Sequence, residues 1–161
     1  MGMIGKLFAV SEEAAEVLVD DPTGFLALLG ADQPAEVELD LHKTWHGLHF
    51  LLTGSVSEGE SPLGFLLIGG RELEVDLGYG PPRIFAAEEV KRIAAALASV
   101  STDELLERLD PSACEAAEIY GANWDEPLTD LYEEYGDAYT LLKAFVTRAA
   151  DSEQALVVAI V

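Results

Sequence analysis

The spacing of apolar and polar residues predicts strands at both ends of the chain. Ile4–Val10 and Gln154–Val161 are apolar runs of strand length. Glu36–Leu41 alternates acidic with apolar residues, which is the period of a half-buried strand. Leu63–Ile68 is predicted to be a short buried strand or helix, and the glycines at 69 and 70 end it.

Other segments have the periodicity of helices. Trp45–Leu52 is apolar on nearly every side and ends at Gly54, and Ala87–Leu97 has one apolar face. Capping residues or proline mark three further helix starts: Ser11, Ser101 or Thr102, and Pro111. A long C-terminal helix, with Gly136 as a kink, is indicated by apolar residues at helical spacing: Leu131, Tyr135, Ala138, Leu142, Phe145 and Ala149.

The order of these elements predicts an α+β fold. Strands and helices follow one another without the regular alternation of parallel α/β proteins. No internal repeat divides the 161 residues, and no linker is long enough to separate two domains. We therefore expect one domain over 1–161, with a small sheet packed by several helices, a long C-terminal helix and a closing strand.

Charge narrows the classes of partner. Thirty acids against nine bases give a formal charge of −21, spread over both halves of the chain. Nucleic acid binds proteins through Lys and Arg, so direct nucleic-acid binding is excluded, whereas a basic protein would be attracted. The apolar runs are too short to span a bilayer, and the single Cys114 cannot form an intramolecular disulfide, so we expect a cytoplasmic protein without a membrane role.

Several motifs spread along the chain suggest a family. They are DLHKTWHGLHFLLTG at Asp40–Gly54, the start MGMIG, Gly69-Gly70, GYGPPR at Gly78–Arg83, Tyr120 and Trp124. Together with the C-terminal helix and strand, this pattern resembles the YfbM-like family, a bacterial family of unknown function. The resemblance implies one mixed α+β domain and brings no catalytic assignment. Where it leads us to expect an acid, this chain has His42.

All three histidines lie within eight residues, at His42, His46 and His49. If one helix includes all three, its rotation of about 100° per residue puts them on one stripe that could hold a transition metal, with Asp40 as a further ligand. His42 follows a predicted strand, which would break the stripe. The alternatives are structural hydrogen bonding and a pocket in which His46 or His49 acts as an acid or base. We predict no metal.

The segment Gly78–Arg83 precedes a helix, as phosphate-binding loops do. Pro81 and Pro82 supply no N–H group, however, so a rigid structural turn is the favoured interpretation. Arg83 is one of the nine bases. It is predicted to pair with a core carboxylate or, as the second choice, to bind an anion in a pocket.

Nine acids and no base lie between Arg108 and Lys143. Asp130, Glu134 and Asp137 are spaced i, i+4 and i+7, with Glu133 beside them, so they should share the solvent side of the C-terminal helix. A solvated helix face explains this pattern most simply. The functional alternatives are a docking surface for a basic protein and a weak site for divalent cations.

Two interpretations of function remain open. The first is a non-enzymatic, cytosolic interaction module that binds another protein, with a basic partner favoured by the charge. The second is a small-molecule-binding or enzymatic domain whose pocket uses His46, His49, Tyr79 and Arg83. We predict no cofactor, because Walker, Rossmann, CxxC and HExxH motifs are absent. Cys114 has no base near it in the sequence, which disfavours a nucleophilic cysteine.

Overall fold

The computed structural model describes residues 2–161. Local signals explain many of its element boundaries: the Ser11 hydroxyl accepts a hydrogen bond from Ala14 N, Ser101 does the same for Glu104 N, and Asp110 caps the helix that Pro111 opens. In chain order the elements are β1 (Gly5–Val10), α1 (Glu12–Asp20), α2 (Gly24–Gly30), β2 (Glu38–His42), α3 (Trp45–Thr53), β3 (Arg71–Glu72), β4 (Arg83–Phe85), α4 (Ala87–Ala98), α5 (Thr102–Glu107), α6 (Pro111–Ala116), α7 (Leu128–Asp151) and β5 (Ala155–Ile160).

The five strands form one antiparallel sheet with the order β2-β1-β5-β4-β3. Its centre joins the two ends of the chain, since Gly5 pairs with Ile160 and Val10 pairs with Ala155. The long α7 leads directly into β5. The prediction of an α+β fold with a small sheet, a long C-terminal helix and a closing strand is confirmed.

Helices cover both faces of the sheet. Alternate residues of β5 face opposite sides: Leu156 and Val158 belong to a large core under α3 to α7, whereas Val157 and Ala159 belong to a smaller one under α1 and α2. This arrangement explains why the last strand is apolar at every position, because a strand buried on both faces has no solvent side. None of the helices described within residues 2–161 is long and apolar enough to cross a membrane.

The segment between α3 and α4 differs most from the sequence prediction. Leu63–Ile68 was predicted as a strand or helix and instead forms successive irregular turns, with Phe65 and Leu66 buried. Two of its carbonyl groups, those of Phe65 and Leu66, accept hydrogen bonds from the Arg83 side chain on β4 and so need no regular ladder. β3 and β4 were not predicted, because strands of two and three residues are too short to show a hydrophobic period.

Candidate functional site

His46 is held by two hydrogen bonds to main chain. Its Nδ1 accepts from the Tyr120 backbone N–H at 2.9 Å, so its Nε2 carries the proton and donates to the Val56 carbonyl at 2.9 Å. The ring also stacks on Trp45, with centroids 5.0 Å apart. Because both ring nitrogens are engaged, His46 would have to give up a structural bond before it could bind a ligand or transfer a proton.

Three of the motifs that carried the family resemblance, at Met3, Trp45 and Tyr120, meet around the Trp45 indole. The buried indole donates from Nε1 to the Met3 carbonyl at 3.1 Å, and the Met3 N–H donates to the Tyr120 hydroxyl at 2.9 Å. The start of the chain, α3 and the segment after α6 are thereby fixed to one another. These residues therefore have a structural role, and Trp45 itself is buried.

His49 is fully buried and holds the loop that follows α3. Its Nε2 lies 2.7 Å from the Glu58 carbonyl, and no group within residues 2–161 bonds its Nδ1. Burial is the main cause that lowers the pKa of His49 below its ordinary value of 6.5. The hydrogen bond to the Glu58 carbonyl raises this pKa, whereas the charges of His46 and Arg83 lower it further. The neutral ring with the proton on Nε2 is therefore the form that fits this position.

The condition for a stripe of three histidines, one helix that includes all of them, is not met. His42 ends β2 with a positive φ of 50°, its side chain is 79% exposed, and its nearest carboxylate is Asp40. Only His46 and His49 lie on α3. Across residues 2–161, no group of three or more His, Cys, Asp or Glu side chains is arranged to hold a metal ion.

Among the described residues, Arg83 does not pair with a core carboxylate, which was the predicted partner. Its guanidinium donates to three carbonyls of the preceding turns, at 3.0 Å to Phe65, 2.7 Å to Leu66 and 3.1 Å to Gly69. No carboxylate of the described chain forms a salt bridge with it. Burial lowers the pKa of Arg83 to about 10, although Glu72 acts in the opposite direction. Arg83 is thus a buried cation whose hydrogen bonds go to neutral acceptors.

Of the four residues predicted to bind a ligand, Tyr79 and Arg83 line one pocket of about 120 Å³. Neither His46 nor His49 lines it. Gly78 and Gly80 have φ values of 91° and 102°, a conformation that favours glycine and that holds the half-exposed Tyr79 at this pocket. Sequence reasoning missed Glu72, which reaches the pocket only because β3 pairs with β4. Ligand binding by the four residues stays a prediction.

The four acids of α7 form an exposed surface, which we call the acidic face: Asp130, Glu133, Glu134 and Asp137. Asp130, Glu134, Asp137 and Leu141 fall within a stripe about 60° wide, and Leu141 is 58% exposed. Partial burial, followed by the like charge of Glu126, raises the pKa of Glu134. The acidic face therefore combines concentrated negative charge with an exposed apolar side chain.

Comparison with known proteins gives a family and a fold. A model of the family described as "Domain of unknown function (DUF1877)" matches residues 1–159. The fold is similar to that in the crystal structure of a protein of unknown function, YfbM from Escherichia coli, with 22% identity and a TM-score of 0.75, over 99% of this chain and 100% of that one. No curated protein matches. The resemblance to the YfbM-like family is confirmed, and the likeness to the solved structure concerns the fold alone.

Proposed function

Because this chain belongs to the DUF1877 family, which is described only as a domain of unknown function, we propose a function from the chain's own surface: an interaction module that binds a basic protein through the acidic face of α7. The observation that carries the proposal is the set of four exposed carboxylates without internal partners. Within residues 2–161, Asp130, Glu133, Glu134 and Asp137 make no salt bridge to Lys, Arg or His.

Electrostatics favours a cationic partner at this surface. Like charges spaced i, i+4 on a helix destabilise it by a few tenths of a kcal/mol per pair, and Asp130–Glu134 and Glu133–Asp137 are two such pairs. Lysines or arginines of a partner would relieve the repulsion on binding. The net charge of −21 would also speed the encounter with a basic protein at low salt.

Exposed apolar side chains narrow the class of partner. Leu128, Tyr132 and Leu141 are three large apolar residues of α7 that remain exposed, and Leu141 continues the stripe of Asp130, Glu134 and Asp137. An amphipathic basic segment, with lysines beside leucines, complements this combination of charge and apolar surface. We also infer a cytosolic location for the encounter, since the only cysteine, Cys114, offers no intramolecular disulfide.

A binding measurement with a defined probe tests the proposal. The probe is a fluorescently labelled peptide of about 20 residues with lysines and leucines at helical spacing, followed by fluorescence anisotropy at about 0.1 M salt. In the test variant, each acid of the acidic face becomes its amide: Asp130→Asn, Glu133→Gln, Glu134→Gln and Asp137→Asn. Surface ion pairs contribute a few tenths of a kcal/mol each, so we expect the Kd to rise about tenfold.

The matched control makes the same change in net charge elsewhere on the molecule. It carries Glu13→Gln, Asp20→Asn, Asp32→Asn and Glu36→Gln, four exposed acids on α1 or in the segment before β2. The control should weaken binding by less than about twofold, since none of its four acids lies on α7 and solvent-exposed charges beyond a Debye length are largely screened. Equal weakening by the two variants would show that only net charge attracts the peptide, and the acidic face would not be the docking surface.

A further inference from the structure

The pocket beside β4 contains a buried cation that forms no salt bridge within residues 2–161, because the carboxylate of Glu72, opposite it on β3, acts on Arg83 only through space. Arg83 is 8% exposed, and all three of its hydrogen-bond acceptors are neutral carbonyls. Buried charges in proteins are normally paired, because burial removes the water that stabilises them. Although the chain has thirty acids, no described carboxylate forms a salt bridge with Arg83. We propose that this pocket binds a small oxyanion, a carboxylate or phosphate group, through Arg83 and Tyr79.

Hydrogen-bond capacity remains at the guanidinium. Arginine has five N–H donors, and three acceptors leave about two for a ligand. The Nε atom has no acceptor in the described chain and is not among its fully buried unpaired atoms, so it is free to donate to a ligand. An oxyanion there would accept these bonds and provide the counter-charge that the three carbonyls cannot provide.

The size of the pocket limits the ligand. Its volume is about 120 Å³. This is well below the pockets of about 300 Å³ and more that bind larger organic ligands, so only a small group fits. Leu66, Pro81 and Val158 give it apolar walls, against which an anion would be poorly hydrated and would depend on Arg83. A single carboxylate or phosphate group is the ligand that fits.

Two side chains of the pocket should control its affinity in opposite directions. Tyr79 lines the pocket while about half exposed, and its hydroxyl is a further donor. Glu72 lines the same pocket from β3, and its negative charge opposes a second anion. Because both residues are exposed, substituting them leaves the carbonyl bonds of Arg83 intact. Substitution of Arg83 itself would remove those bonds and endanger the fold.

The test is an NMR titration of the ¹⁵N-labelled protein with sodium acetate and, separately, with inorganic phosphate. Sodium chloride at matched ionic strength is the reference. The Arg83 Nε–H and the backbone N–H groups of Gly80 and Arg83 should shift saturably with at least one anion, with a Kd in the low millimolar range. Saturation by acetate alone assigns the site to carboxylates, and saturation by phosphate alone assigns it to phosphate groups.

Matched variants decide whether the pocket itself is responsible. Glu72→Gln should lower the Kd about threefold to tenfold through the lost repulsion. Glu74→Gln makes the same charge change at an exposed residue that does not line the pocket, and should leave the Kd unchanged. Tyr79→Phe should raise the Kd about twofold to tenfold. Shifts that stay linear to about 50 mM like those with chloride, or equal affinities of the two glutamine variants, would overturn the proposal.

Discussion

Two tyrosines one turn apart on α7 should respond in opposite ways to the same substitution. Tyr135 and Tyr139 are both fully buried, and burial is the main cause that raises the pKa of each, to about 12 for Tyr139. The Tyr139 hydroxyl donates to the Val100 carbonyl at 2.8 Å. The Tyr135 hydroxyl lies against Gly47 and has no hydrogen-bond partner within residues 2–161. Tyr139→Phe therefore removes a hydrogen bond, whereas Tyr135→Phe removes a buried hydroxyl that has no partner in the described chain.

The expected magnitudes follow from these contacts. Tyr139→Phe should cost about 0.5–1.5 kcal/mol for the lost hydrogen bond. The lower half of this range applies, because the Val100 carbonyl keeps a second donor, Lys143 Nζ at 3.0 Å. Tyr135→Phe removes a hydroxyl whose unpaired burial costs about 1–3 kcal/mol, partly offset by lost packing against Gly47. The net change at Tyr135 should lie between zero and about 1 kcal/mol of stabilisation.

Urea unfolding followed by far-UV circular dichroism measures both changes. The two variants should differ by about 0.5–2 kcal/mol, which corresponds to about 0.25–1 M in the unfolding midpoint when the slope is unchanged. Tyr135→Phe should unfold at the same urea concentration as the unsubstituted protein or at a higher one. A loss of more than about 1 kcal/mol at Tyr135 would refute the reasoning, because it would mean that this hydroxyl is also hydrogen-bonded in solution.

Two further predictions concern α3. Trp45→Ala should destabilise the fold by about 3–5 kcal/mol in the same assay, since it deletes a buried indole and its bond to the Met3 carbonyl. A loss below about 1 kcal/mol would contradict the structural role of Trp45. The lowered pKa of His49 means that the unfolded chain takes up its proton first as pH falls below 6.5, so the stability contributed by the neutral ring is lost on acidification. Between about pH 7 and 5 the free energy of unfolding should fall more steeply for the unsubstituted protein than for His49→Gln, and equal slopes would show that His49 does not titrate differently in the fold.

Local signals in the sequence were enough to predict most of the elements. A helix cap such as Ser11 or Asp110 bonds N–H groups two or three residues away, so its effect is readable from neighbouring positions. The apolar period of α7 and the apolar run of β5 are equally local. The exposure of the acidic face also followed from helical spacing alone, because Asp130, Glu133, Glu134 and Asp137 lie opposite the buried residues of the same helix.

The tertiary structure alone decided the surroundings of the candidate site residues. His46 bonds a backbone N–H 74 residues away, and Arg83 bonds carbonyls 14 to 18 residues away in turns without a periodic pattern. The sequence therefore predicted a carboxylate partner for Arg83, whereas the fold supplies neutral carbonyls. Histidine and arginine donate to any correctly placed oxygen. Their partners are set by which distant backbone groups the fold brings within about 3 Å, and no spacing along the chain encodes that.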